Sequence, residues 1–296
     1  MRTIEEKEDG NFFLGLDRES YLRFRALSEK HHLSYHMEHL FEADHRIGLS
    51  GKRVLEVGGS LPAELVLGEF GATQWVGIQD ISYWREVGQS QLDGVRVMEM
   101  SALSSVSDLD DHTVLLGNIE ALPECLWGHF DLIYSSAAFE HILRFGQALS
   151  AMAAALKPGG GLFSMFSPIW SAFDGHHLPT LTDKAGRTFG FSDQSVIGPW
   201  AHLLRTPPEM FHFLRDHTDE ETASQIVYYI YNSPHINRLF VEDYMAYLES
   251  SPFFGDVDAT FSVSIDDHTL EQLLRTHPGR RVFHNDGLRM VLRKRP

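Results

Sequence analysis

The stretch Val54–Leu65, "VLEVGGSLPAEL", decides how this chain folds. Its first four residues are a largely apolar run, which is typical of a buried strand. Gly58 and Gly59 follow, and a helical pattern begins near Pro62, which is tolerated because the first helical turn needs no proline N–H. A strand, a glycine turn and a helix in this order direct backbone N–H groups toward a ligand.

Composition limits the class of protein. The chain has 296 residues, of which 43% are hydrophobic. This suits one large domain with a packed core or one domain with a substantial insertion. There is no apolar run of about 18 residues, so we expect no membrane span. The N-terminal stretch is charged and lacks an apolar secretory core, and the single cysteine, Cys125, excludes an intrachain disulfide. We therefore expect a cytoplasmic protein.

The charge balance limits the partners. The formal net charge is −16, which opposes binding to a phosphate backbone. We expect no nucleic-acid partner and a small-molecule substrate. A homo-oligomer stays possible, because nothing in the sequence decides the oligomeric state.

Apolar segments alternate with helical patterns after residue 50. Helices are predicted over Pro62–Phe70 and about 138–156. Predicted strands are Arg53–Val57, Trp75–Gln79, Thr113–Gly117, Phe130–Ser135 and Leu162–Ser167. This alternation predicts an α/β fold with a doubly wound, mostly parallel, Rossmann-like sheet. Ligands of such a sheet bind beyond the carboxyl ends of the strands.

The order of the predicted helices and strands divides the chain into four parts. Residues 1–50 form an N-terminal helical cap, and 51–167 form the core that contains the glycine turn. Residues 168–236, rich in prolines, histidines and aromatic residues, read as a helical insertion that covers the ligand edge as a lid. Residues 237–296 complete the core, with a helix over Val241–Leu248 and strands over Ala259–Ile265 and Leu288–Arg293.

Five stretches occur in the order of the motifs of one enzyme family. They are "VLEVGGS" (54–60), "WVGIQDIS" (75–82), "GNIEALP" (117–123), "FDLIYSSAAFEHI" (130–142) and "ALKPGGGLFSMFSP" (155–168). Together they resemble the class I S-adenosylmethionine-dependent methyltransferases, of the methyltransferase type 11-like kind. Ser60 and Pro62 stand where the family has later glycines, and Asn118 stands where an aspartate is common.

The resemblance implies a cofactor, S-adenosylmethionine, and a set of residues around it. The acid for the ribose hydroxyls is Asp80 or, by a stricter count, Gln79. The other cofactor-binding candidates are Glu56, Gly58, Gly59, Ser60, Asn118, Ile119 and Ser135. Two of the acids have simpler alternatives, because Glu56 could cap nearby N–H groups and Asp80 could cap the following helix.

Histidines near the carboxyl ends of the fourth and fifth strands are the candidates for chemistry. Neutral imidazole accepts a proton near pH 7, so His141, His176 and His177 are candidate general bases. The alternative is that Glu140 and His141 only cap a helix and that the "FDGHHLP" loop is a structural turn. Candidates for contact with the substrate are Glu140, Trp170 and His202.

Five further histidines lie near the N-terminus, and some are four residues apart, a spacing that zinc sites use. They are His31, His32, His36, His39 and His45. No thiolate or H-E-x-x-H pattern accompanies them, so a polar helix face is favoured and no metal site is expected.

The sequence thus predicts an enzyme, a methyltransferase that transfers a methyl group to a small-molecule or saccharide-like acceptor, with oxygen as the expected atom and a histidine as the expected base. Two alternatives stay open. One is a cofactor-binding regulatory or scaffold subunit without activity, suggested by the imperfect glycine loop. The other is a nicotinamide-dependent oxidoreductase, although the chain lacks G-x-G-x-x-G.

Overall fold

The computed structural model describes residues 17–80, 96–191 and 193–296. Its central element is an eight-stranded sheet in the order β3-β4-β2-β1-β5-β6-β10-β9, beside a two-stranded sheet of β7 and β8. The strands are β1 Arg53–Val57, β2 Gln74–Gln79, β3 Val97–Glu99, β4 His112–Leu116, β5 Phe130–Ser136, β6 Leu156–Phe166, β7 Leu181–Thr182, β8 Thr188–Phe189, β9 Phe253–Ala259 and β10 Leu288–Lys294.

The pairing confirms the predicted doubly wound sheet. Strands β3, β4, β2, β1, β5 and β6 pair in parallel, and β10 pairs antiparallel with β6 and with β9. The chain moves outward from β1 to one edge and then crosses back to β5 on the other side of β1. A crevice opens at such a reversal, beyond the carboxyl ends of the strands.

The described helices pack either on the faces of this sheet or in a separate hydrophobic cluster. They are α1 Arg18–His31, α2 Tyr35–Ile47, α3 Phe145–Ala155, α4 Ala201–Leu204, α5 Pro207–Arg215, α6 Glu220–Tyr231, α7 Val241–Glu249 and α8 Asp267–Thr276. Within the described residues, no helix is long and apolar enough to cross a membrane.

The two faces of the sheet bury different hydrophobic clusters. Residues of α3 and α7, such as Phe145 and Tyr244, pack with one face, and residues of α1 and α2, such as Phe24 and Leu40, pack with the other. Helix α2 is also held by polar contacts, because the Nδ1 atoms of His36 and His39 lie 2.9 and 2.6 Å from the hydroxyl oxygen of Ser136. The N-terminal helices are therefore part of the fold.

Several predicted boundaries were wrong. The strand expected over Ala259–Ile265 lies earlier, at Phe253–Ala259, where it pairs with β10. The expected "KPGGG" turn lies inside β6, and the expected helix over 138–156 is a short 3₁₀ turn, Phe139–His141, followed by α3. A π-helical turn, Glu64–Glu69, replaces an ordinary α-helix after the glycine loop. Tertiary pairing overrode the local pattern in the first two cases.

The segment expected to be a lid has its own hydrophobic cluster. Residues such as Trp200, Met210 and Ile226 form it, and Leu273 and Phe283, from beyond residue 236, also take part. Packing thus joins this segment to the C-terminal part of the chain.

Candidate active site

The described residues enclose a cavity of about 720 Å³ at the carboxyl edge of the sheet. This size is typical of sites for small molecules and cofactors. Its lining follows the strands in order. The lining residues at the end of β1 and β2 or directly after them are Val57, Gly58, Ile78 and Asp80. Those after β4, β5 and β6 are Gly117 to Glu120, residues 137–138 and 140–144, and Ser167 and Pro168. The others, from elsewhere in the chain, are Tyr35, His177, Phe191, Pro234 and His235.

The glycine turn requires glycine at its first position. Gly58 lines the cavity with a φ of +94°, a conformation that side chains disfavour. A Cβ atom at this position would lie 2.1 Å from the Cβ of Ala138. The first glycine therefore lets the loops after β1 and β5 meet.

Glu56 supports this turn from behind. Its Oε2 atom accepts hydrogen bonds from the backbone N–H of Leu61, at 2.8 Å, and from the indole N–H of Trp75, at 2.5 Å. Burial raises the pKa of Glu56 to about 7. Glu56, Gly59 and Ser60 are not among the residues that line the cavity. The contacts match the alternative in which Glu56 caps N–H groups of the loop.

The two candidates for ribose contact point in different directions. Asp80 is exposed and lines the cavity, as does Ile78. Gln79 is 2% exposed, is absent from the lining, and its Oε1 atom has no hydrogen-bond partner among the described residues. Successive strand residues face opposite sides of a sheet, so only one of the two reaches the cavity.

Of the remaining cofactor candidates, some line the cavity and others do not. Asn118 and Ile119 line the cavity, and the Asn118 side chain accepts a hydrogen bond from the Glu120 N–H at 3.0 Å. Ser135 is fully buried, and its hydroxyl donates to the carbonyl of Val57 at 2.8 Å. Ser135 therefore joins β5 to β1 in the structure.

Glu140, His141 and His177 form a polar cluster in the cavity wall. One ligand atom of each lies within 4.8 Å of those of the other two. Glu140 is 1% exposed, and burial raises its pKa to about 8. Burial also lowers the pKa of His141 to about 4 and that of His177 to about 3, so both imidazoles are neutral near pH 7.

Backbone contacts orient the two rings of this cluster. The Nδ1–H of His141 donates to the carbonyl of His235, and the Nδ1 of His177 faces the carbonyl of Gly175 at 3.4 Å. His177 has a φ of +47°, which is uncommon for a residue with a side chain and marks a constrained loop. The rings meet edge to face, with centroids 5.1 Å apart.

Three other predicted residues lie outside the cavity lining. His176 is fully buried, and its Nδ1 accepts a hydrogen bond from the Leu178 N–H at 3.2 Å. His202 donates from Nε2 to the carbonyl of Trp170 at 2.9 Å, and the two rings lie 4.6 Å apart. The His202 ring contacts both Trp170 and His176, so these three side chains pack together within residues 168–236.

The structure adds residues that the motifs did not single out. Tyr35, the first residue of α2, lines the cavity, as do Glu120 and Arg144, whose side chains pair at 2.8 Å. His235 supplies the carbonyl that orients His141. Glu120 stood in a quoted motif, but Tyr35 and His235 lie far from it in sequence and no local signal indicated them.

Residues 81–164 match the family model described as a methyltransferase domain. The match confirms the resemblance seen in the sequence and spans the third and fourth motifs and most of the fifth. It begins directly after Asp80, so the glycine turn lies outside it. No curated protein matches the chain at a significant level.

Solved structures similar to this chain share little sequence with it. An S-adenosylmethionine-dependent methyltransferase from Mesorhizobium loti is 16% identical, with a TM-score of 0.41 and coverage of 83% of this chain and 92% of that one. Haemonchus contortus phosphoethanolamine N-methyltransferase 2, solved with S-adenosylmethionine, is 13% identical, with a TM-score of 0.43 and coverage of 88% and 52%. The YcgJ protein from Bacillus subtilis is 11% identical, with a TM-score of 0.40 and coverage of 88% and 99%.

Proposed function

We propose that this protein is an S-adenosylmethionine-dependent methyltransferase that acts on a small-molecule acceptor bound in the cavity. The observation that carries the proposal is the methyltransferase-domain match over residues 81–164, combined with a cavity of suitable size at the reversal point of the sheet. The lining changes from loops after β1, β2 and β4 to loops after β5 and β6. We assign the first set to the cofactor and the second to the acceptor.

The residues of the first set fit the cofactor. Asp80 offers an exposed carboxylate to the ribose hydroxyls, and a charge-assisted hydrogen bond is stronger than a neutral one. Ile78 and Ile119 offer apolar contact to a flat ring, and Asn118 lies beside them as a polar neighbour. When bound, S-adenosylmethionine supplies an electrophilic methyl group on a sulfonium sulfur. The chain then has to hold an acceptor atom in line with that group and exclude water.

The residues of the second set fit a polar acceptor. Glu140, His141 and His177 supply polar atoms, whereas Ile142, Leu143 and Phe191 supply apolar contact. The histidine base stays a prediction and now concerns His141 and His177, because His176 lies outside the lining. Both imidazoles are neutral near pH 7, but their low pKa values make them weak proton acceptors. A small hydroxyl-bearing acceptor, saccharides included, suits this wall.

Calorimetry tests the cofactor assignment directly. The full chain should bind S-adenosylhomocysteine saturably with one site, whereas NADH should give no heat of binding. The opposite result would favour the oxidoreductase and refute the proposal. Because the acceptor is unidentified, radiolabelled S-adenosylmethionine and a low-molecular-mass cell extract form the second test, and label should appear in a small-molecule product. Cofactor binding with no transfer to any extract would favour the regulatory or scaffold subunit.

A further inference from the structure

We propose that Glu140, His141 and His177 bind one divalent transition-metal ion in the wall of the cavity. The sequence predicts no metal site, because no thiolate or H-E-x-x-H pattern accompanies the N-terminal histidines. These three residues are separated in sequence, and only the fold brings them together. The binding itself does not depend on the proposed function, but the role of the ion, which is to orient an acceptor oxygen, rests on it. An imidazole that binds the ion through Nε2 has no lone pair left to accept a proton, so the metal site replaces the histidine base as the role of His141 and His177.

The donor set matches a known kind of metal site. Two imidazoles and one carboxylate bind Zn²⁺ in catalytic sites and Fe²⁺ in oxygen-activating ones, and both kinds leave positions for exogenous ligands. Zinc–ligand bonds of about 2.0–2.1 Å place two tetrahedral ligands roughly 3.3 Å apart. The three ligand atoms here all lie within 4.8 Å of one another. To close the site, each pair of ligand atoms has to approach by at most about 1.5 Å.

An unsatisfied carboxylate oxygen points independently to a ligand. The Oε2 atom of Glu140 is buried without a hydrogen-bond partner among the described residues, and the residue is 1% exposed. Such an orphaned atom is rare, because leaving it unpaired costs free energy. Among the described residues that line the cavity, only Arg144 carries a guanidinium or ammonium group, and it pairs with Glu120 instead. A metal ion that displaces the carboxyl proton would bind this oxygen and balance the charge of the resulting carboxylate.

The imidazoles are arranged as metal ligands commonly are. In metal sites, a histidine typically donates its second ring N–H to a carbonyl or carboxylate, which sets the tautomer and aims the other nitrogen at the metal. His141 makes such a bond from Nδ1 to the carbonyl of His235, and the Nδ1 of His177 faces the carbonyl of Gly175. In both residues the lone pair is then on Nε2, on the far side of the ring.

Cobalt and zinc titrations test the site. The full chain is first freed of metal with a chelator, and Co²⁺ is then added while visible absorption is recorded, with a parallel Zn²⁺ titration by calorimetry. We expect one equivalent of tightly bound metal, and the intense absorption bands of low-coordinate cobalt. Glu140→Gln and His177→Asn should each weaken Zn²⁺ binding at least tenfold. Asparagine is chosen at 177 because it tolerates a positive φ.

The chain has 17 histidines, so a control for adventitious binding is needed. His32 is exposed and lies in the N-terminal histidine group, so His32→Ala should leave the tight site unchanged. No stoichiometric binding by the wild type, or equal binding by all variants, would overturn the proposal. If Glu140→Gln does not fold, Glu140→Asp and His177→Asn decide the question.

Measurements on the same samples separate this inference from the proposed function. S-adenosylhomocysteine binding with no tight Zn²⁺ site would refute the metal site alone. Tight Zn²⁺ binding that needs Glu140 and His177, without S-adenosylhomocysteine binding, would refute the methyltransferase proposal and leave the metal site standing.

Discussion

Replacing Gly58 with alanine should damage the protein more than a similar change at any glycine in an open turn. A positive φ costs an L-residue roughly 1–2 kcal/mol relative to glycine. At Gly58 the added Cβ would also lie 2.1 Å from the Cβ of Ala138. Relieving such overlap in a packed region typically costs about 1–3 kcal/mol. Together these effects lower the free energy of unfolding by about 2–5 kcal/mol.

A control glycine and a compensating substitution separate the two costs. Gly128 also has a positive φ, +64°, but nothing lies within 4 Å of its added Cβ. Gly128→Ala should therefore show only the cost of about 1–2 kcal/mol. Ala138→Gly removes the atom that the methyl group introduced by Gly58→Ala would strike. In the double variant G58A/A138G, stability should recover by about 1–3 kcal/mol relative to the sum of the single changes.

Equilibrium unfolding in urea measures these differences, and S-adenosylhomocysteine calorimetry on the folded variants measures the effect on the turn. Gly58→Ala should weaken cofactor binding, and Gly128→Ala should not. If Gly58→Ala is as mild as Gly128→Ala, or if the double variant is additive, then the loops after β1 and β5 do not meet as described and the reasoning fails.

Two further predictions concern the acids of the glycine turn and of β2. Asp80→Ala should weaken S-adenosylhomocysteine binding by roughly 1.5–3 kcal/mol, the value of a charge-assisted hydrogen bond. Gln79→Ala should change the binding free energy little. If calorimetry shows the reverse order, Gln79 is favoured as the ribose contact. Burial raises the pKa of Glu56 to about 7 from 4.5, so between these pH values the folded protein retains a proton that the unfolded chain releases, and wild-type stability falls as the pH rises. The free energy of unfolding of Glu56→Gln, relative to that of the wild type, should rise by up to roughly 3 kcal/mol from pH 4.5 to pH 7. Urea unfolding measures this difference, and a difference that stays constant across the pH range would contradict the raised pKa.

Local patterns predicted the inner strands of the sheet well, and the edge strand β9 and several helices less well. Strand β1 was predicted to the residue, because a short apolar run bounded by a lysine and two glycines has few alternatives. Strand β9 was misplaced, because "FFGDVDA" has exposed residues and pairs with β10 as an edge strand. Edge strands lack the apolar pattern of buried ones, so their position depends on the partner rather than on the sequence of the strand.

In the candidate site too, some residues could be predicted from local sequence and others depend on tertiary packing. Gly58, Asp80, Asn118 and Ile119 could be predicted because each lies within three residues of the end of a strand, and the carboxyl ends of parallel strands share one edge. Tyr35 could not, because it reaches the cavity from a helix that is docked on the sheet by packing and by His36 and His39.

The sequence by itself determined the alternation of strands and helices, the glycine turn, and the set of polar residues available at the ligand edge, because these follow from local periodicity and from single-residue backbone preferences. Only the tertiary structure decided that Glu140, His141 and His177 meet in the wall of the cavity whereas His176 and His202 turn inward. Contacts between residues distant in sequence depend on how whole segments pack, and burial then sets the charge state of each group. The environment of a titratable side chain, and with it its chemistry, is therefore a property of the folded chain.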